Sequence, residues 1–183
     1  MEICAISGSL REQSFNTKLL RAAARLAGDT MTIEVIRLND IPLYNGDDDT
    51  PDTQPQAVLD LAARLRTADG LLISTPEYNY SISGVLKNTI DWLSRVKGQP
   101  FNGKPVGILG AAAGQIGSAR AQYHLRQVLV GLNPRVMNRP EFFMGAAHTR
   151  FDDQGNLTDT DSETFLQTYV TAFEKWVNDQ SPR

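Results

Sequence analysis

The chain has a single cysteine, Cys4, so an intrachain disulfide is excluded. Cys4 lies in a short apolar stretch with no histidine near it in sequence, and it reads as a small buried residue rather than a nucleophile. His124 and His148 are the only histidines, and neither a catalytic triad nor a metal site is expected. His124 falls in mid-helix, as an interface or surface residue. No apolar run approaches the roughly 18 residues that a membrane-spanning helix needs. There is little charge of one sign. The net charge of −3 argues against nucleic acid or an anionic membrane as main partner. The chain enters an apolar strand at residue 2, so no secretory leader and a cytoplasmic location are expected. The common nucleotide signatures are also missing. No G-x-x-x-x-G-K-[ST] occurs, and no G-x-G-x-x-G follows the first strand. "GILGAAAGQIG" is glycine-rich but has other spacing and follows the fourth strand. A standard NAD or ATP site is therefore not expected, and a mononucleotide is preferred.

What remains is an ordinary globular composition, 41% apolar and 21% charged over 183 residues, enough for one domain with its own core, spanning 1–183. Strands are predicted at 2–7, 32–38, 70–75, 105–111 and 135–138. Helices are predicted at 15–27, 55–67, 84–96, 117–131 and 161–178. The alternation implies an α/β fold with a parallel sheet and helices on both faces. Leu71-Leu72-Ile73 and Val106-Gly107-Ile108-Leu109 are continuous apolar runs suited to strands covered on both sides. Five such strands fit a flavodoxin-like three-layer sandwich, order 2-1-3-4-5. The acidic, turn-rich stretch from Tyr44 to Pro55 reads as a surface loop.

Ligands of open parallel sheets sit at the carboxyl ends of the strands, which directs attention to three loops. In "GSLREQSFN", Ser9, Ser14, Asn16 and Thr17 bring hydroxyls and an amide to the start of a helix. Free N–H groups there attract anions, and Arg11 adds a planar cation. This reads as a phosphate cradle. In "TPEYNYSISG", Pro76 stiffens the strand exit, and Glu77, Tyr78, Asn79 and Tyr80 crowd its tip. Two tyrosines beside an amide suit a flat polar ring, and Ser81 or Ser83 can cap the next helix. In "GAAAGQIGSAR" small residues let backbone approach a ligand, with successive N–H groups able to meet partial negative charge.

"GSLREQSFN" together with "PEYNYSISGVLKNTIDWLSR", "GSARAQYHLRQVL" and "MNRPEF" resembles the NADPH-dependent FMN reductase family, most of all its bacterial chromate/quinone reductases. The resemblance implies a flavodoxin-like fold, bound FMN and no catalytic side chain, the chemistry lying on the flavin. NADPH or NADH would donate hydride. Quinones would accept, and further acceptors would be chromate, azo and nitro compounds. Carried over, Ser9, Arg11, Ser14, Phe15, Asn16 and Thr17 would hold the phosphate. Pro76, Glu77, Tyr78, Asn79 and Tyr80 would edge the isoalloxazine. Ala112 to Gly114 would face its pyrimidine side, their N–H groups stabilising charge near N1 and C2=O.

The resemblance also implies a homodimer or homotetramer. Helix 84–96 carries Leu86, Ile90 and Leu93 on one stripe and Val85, Trp92 and Val96 on another. One stripe suffices for a core, so the second is expected to be covered by another subunit. Trp92, Arg120, Tyr123 and Glu141 are the interface candidates. The rival from another class is a flavodoxin-type one-electron carrier, disfavoured by Arg11, the mild acidity and the open aromatic loop. A receiver domain needs an acceptor aspartate where this chain has Ser74-Thr75-Pro76.

Overall fold

A computed structural model describes residues 1–180. Its elements alternate as β1 (Glu2–Ser7), α1 (Phe15–Leu26), β2 (Thr32–Ile36), α2 (Gln56–Thr67), β3 (Gly70–Ser74), α3 (Gly84–Arg95), β4 (Pro105–Ala111), α4 (Ala119–Val130), β5 (Arg135–Val136), β6 (Phe142–Met144) and α5 (Thr160–Gln180). All strand pairs are parallel, in the order β2-β1-β3-β4-β5, with β6 also on β4. The order and the helices are those expected for a flavodoxin-like fold.

The fifth lane differs in detail. Instead of one strand over 135–138 it holds two short ones. β5 pairs with the start of β4 (Val106 opposite Val136) and β6 with its end (Leu109 opposite Phe142). Pro140, which has no N–H to give a ladder, lies between them.

Successive strand residues face opposite sides, and this chain is apolar on both. Cys4, Ile6, Leu71, Ile73, Val106 and Ile108 pack with α2, α3 and α4. Ile3, Ala5, Leu72 and Leu109 pack with α1 and α5. Burial pushes the Cys4 thiol above its ordinary range, in keeping with an inert core residue.

The second stripe of α3 is covered by this chain and not by a partner, which removes Trp92 as an interface candidate. Trp92 is 0% exposed and Val96 is buried. Val85 and Ile41 pack against the same core. The indole Nε1 donates to the Pro42 carbonyl at 2.9 Å, and Tyr44 meets the ring edge-on at 4.8 Å. Asn88 on α3 fastens this cover, accepting from Tyr44 N and donating to Pro42 O. The segment after β2 thus folds back over the helix. Beyond it, 44–55 runs over the surface, held by an Asp49–Arg95 ion pair at 2.5 Å.

Candidate functional site

The loop after β1 is fixed to its neighbours before it reaches the helix. Gly8 N donates to Ser74 O at 2.8 Å, and Ser83 Oγ donates to Gly8 O at 2.5 Å. Ser14 caps α1, its Oγ accepting from Thr17 N. The first N–H groups of the helix, those of Phe15 and Asn16, have no intrahelical acceptor. The Arg11 guanidinium forms no hydrogen bond or ion pair among the described residues, and Arg11 lines the cleft beside them. Ser9 is buried, and its hydroxyl accepts from Arg11 N at 3.4 Å.

Asn16 and Thr17 are drawn inward. The Asn16 amide donates to Ala111 O and accepts from Ala111 N and Ser74 Oγ, all at 2.8–3.0 Å. It therefore ties α1 to the tips of β3 and β4. Thr17 Oγ1 sits 2.8 Å from Ser7 Oγ, is buried, and is not among the residues lining the cleft.

That cleft holds about 280 Å³ at the carboxyl edge of the sheet. It brings all three loops together: Ser9, Arg11, Ser14, Phe15 and Asn16, then Pro76, Glu77 and Tyr78, then Ala111 to Gly114. Asn79 and Tyr80 stand outside it. They form a tight reverse turn between Tyr78 and Ser81, whose backbones exchange two hydrogen bonds. Both have left-handed backbones, φ 50° and 68°, the geometry of a type I′ turn. Tyr80 is 70% and Tyr78 47% exposed.

The third loop offers fewer donors than expected. Ala111 N is bonded to Asn16, and Ala112 N donates to Met144 O at 3.0 Å. Ala112 is thus a wall and not a donor, because β6 claims its N–H. Ala113 and Gly114 keep theirs. The loop can pass so near the strand tips because Gly110 has no side chain. A Cβ there would lie 2.5 Å from Thr75 O and 2.1 Å from Ser118 Oγ.

Glu77 and Arg120 are bound to each other. One Glu77 oxygen accepts from Arg120 N and Ala121 N, at 3.1 and 3.3 Å. The other accepts from the Arg120 guanidinium at 2.5 Å. Glu77 so supplies the cap that Ser118 does not give α4, and its charge is favourable at a helix N-terminus. The Arg120 guanidinium lies 3.8 Å over the Tyr80 ring, and Ser81 Oγ is 2.8 Å from His124 Nδ1. Three contacts thereby fasten the 77–81 turn along α4. Tyr123 is exposed nearby, its phenol pushed up by its hydrogen bond to Glu141. No sequence signal linked Glu77 to Arg120, 43 positions away. No group of His, Cys, Asp and Glu suited to a metal occurs among the described residues.

Residues 1–149 match the model of the NADPH-dependent FMN reductase family. A NAD(P)H-dependent FMN reductase of Pseudomonas aeruginosa is 48% identical over 97% of this chain and 95% of its own. A quinone reductase of Escherichia coli is 44% identical over 97% and 95%. Among solved structures, the Paracoccus denitrificans flavoenzyme NAD(P)H:(acceptor) oxidoreductase FerB superposes with a TM-score of 0.88, at 35% identity over 98% of each chain. A Bacillus cereus flavodoxin, at TM-score 0.64 and 13% identity over 96% of this chain and 98% of its own, shares the fold.

Proposed function

Because the chain belongs to the NADPH-dependent FMN reductase family, we propose that it holds FMN in this cleft and passes reducing equivalents from NADPH or NADH to quinones. Chromate, azo and nitro compounds are proposed as further acceptors. The observation that carries the reading is the donor set. A cation without a partner among the described residues, two serines and the open N–H groups of α1 meet at one end of the cleft. The open N–H groups of Ala113 and Gly114 meet at the other. That set fits a phosphate at the first end and a polar ring edge at the second.

When bound, FMN supplies two-electron chemistry, taking hydride from the nicotinamide and giving it to the acceptor. The chain's own part is placement. Arg11, Ser9, Ser14 and the N–H groups of Phe15 and Asn16 bind the phosphate. Pro76, Glu77 and Tyr78 form one wall of the ring site, and Ala112 the opposite one. Ala113 and Gly114 N–H groups would donate to a polar edge of the ring. Asn16 and Thr17 act from behind, fixing the loop on which these groups stand. Asn79 and Tyr80 edge the opening, where nicotinamide and acceptor enter in turn.

The same reading covers one FMN-binding domain over 1–183, a cytoplasmic location where nicotinamide donors are supplied, and a homodimer or homotetramer. Tyr123, Glu141 and the exposed part of Arg120 are its remaining interface candidates. The test is direct. The cofactor freed by heat from the purified yellow protein should chromatograph as FMN. NADH and NADPH oxidation should then be followed with quinones, chromate, azo dyes and nitro compounds. Release of FAD, or a protein that ignores added FMN, would sink the cofactor assignment. Bound FMN with negligible NAD(P)H oxidation would favour the one-electron carrier.

A further inference from the structure

We infer that Arg37 is a positioning residue for the anion-binding loop, holding the Leu10 carbonyl so that Arg11 is presented to the cleft. This rests on the reading of that loop as the phosphate site. Arg37 directly follows β2, whose last residue pairs with Ile6 of β1. It therefore leaves the sheet beside the point where the 8–14 loop leaves β1. Its Nη2 donates to Leu10 O at 2.6 Å. Its one ion-pair partner among the described residues, Glu12, is 3.8 Å away and 90% exposed. Its Nε–H is buried with no hydrogen-bond partner among the described residues.

This is a poor arrangement for the arginine itself. A buried donor left without an acceptor is unfavourable, and a guanidinium placed for its own pairing would face a carboxylate squarely. What the arrangement accomplishes is the short, charge-assisted bond to a carbonyl one residue before Arg11. Leu10 makes no other hydrogen bond among the described residues. Among the described residues the loop between Ser9 and Ser14 is otherwise held by long contacts, Ser7 Oγ to Ser9 O at 3.5 Å and Arg11 N to Ser9 Oγ at 3.4 Å, and by Ser14 N to Arg11 O at 3.2 Å. A loop ordered before the ligand arrives spares the ordering entropy on binding. The effect should therefore appear in phosphate binding and not in the core.

The test compares FMN with riboflavin, which lacks the phosphate, by flavin-fluorescence titration of the full-length chain stripped of cofactor. The variants are Arg37→Met, Arg37→Lys and Arg11→Ala, with thermal melts alongside. Arg37→Met should weaken FMN by roughly 3- to 10-fold, while riboflavin affinity and the melt stay put. Arg37→Lys, which can still donate to the carbonyl, should recover part of the loss. If Arg37→Met leaves FMN unchanged while Arg11→Ala weakens it, this inference fails and the phosphate site stands. If neither variant touches FMN affinity, the phosphate-site reading fails as well. Equal loss of FMN and riboflavin with a lowered melt would make Arg37 a general structural residue and overturn the inference.

Discussion

At one end of the cleft no residue from 8 to 17 has a positive φ, and Ser7, Ser14, Asn16 and Thr17 are buried and bonded to their surroundings. Just outside the other end Asn79, Tyr80 and Ser118 all have left-handed backbones, and Tyr80 and about half of Tyr78 stand in solvent. The first end is relaxed and braced, as suits an anion whose shape never varies. The second stores strain in the turn and is held from outside by Glu77 and Arg120. Strain of that kind persists only where the surroundings over-determine it, and it collects at ligand sites. The contrast implies that substitutions at the braced end act on folding and cofactor binding. Those at the strained end should act on substrates.

The largest effect is expected from Asn16→Ala. It removes three hydrogen bonds and leaves Ser74 Oγ and both polar groups of Ala111 without a partner in a buried place. A loss of about 3 kcal/mol in urea-monitored stability is expected even without cofactor. A variant of wild-type stability would show that the braced end does not depend on this amide. Next comes Arg11→Ala, which should lower FMN affinity roughly 10- to 100-fold, since a hydrogen bond between charged groups is worth about 1.5–3 kcal/mol. The apo-protein's melting temperature should not move, because the Arg11 side chain has no partner to lose. A destabilised Arg11→Ala would mean that its charge serves the fold.

How much of this contrast could be read from sequence depends on how local the cause is. A parallel sheet covered on both faces follows from continuous apolar runs such as Leu71–Ile73 alternating with helices, and the candidate anion loop from Arg11 and Ser14 next to a helix start. Phe142–Met144 escaped because three residues after a proline carry too little periodicity to stand out as a strand. Trp92 misled because a second apolar stripe looks the same whether a loop or a subunit covers it. Only the fold-back of 41–44 decides. The Asn16 and Glu77 side chains bond across 95 and 43 positions, and such contacts leave no trace in local pattern. Arg37 gave no signal at all.

A smaller effect is expected from Glu77→Gln, which can still accept from the N–H groups of α4 but gives up its charge. The carboxylate is 9% exposed and Arg120 39%, so solvent screens part of the pair. About 1 kcal/mol of stability should be lost, with a few-fold rise in quinone KM as the turn loosens. Unchanged KM at reduced stability would confine Glu77 to capping.

The smallest change in stability, and the sharpest probe of the contrast, is Tyr80→Gly. A glycine directly after Asn79 completes the Asn-Gly pair that a type I′ turn prefers. Releasing a tyrosine from a left-handed backbone should gain about 1–2 kcal/mol. Against this stand the lost Arg120 contact, about 0.5–1 kcal/mol at an exposed ring, and the greater freedom glycine gives the unfolded chain, about 0.4–1 kcal/mol. The three nearly cancel, so the melt should move little. Folding alone therefore gives no reason for a large aromatic ring at this position. If the ring is there for ligands, KM for quinones should rise several-fold in the variant while FMN affinity holds. If KM is unchanged and stability falls by about 2 kcal/mol or more, the tyrosine is a structural pin for α4. The strained end would then be braced after all, by means that differ from those of the first.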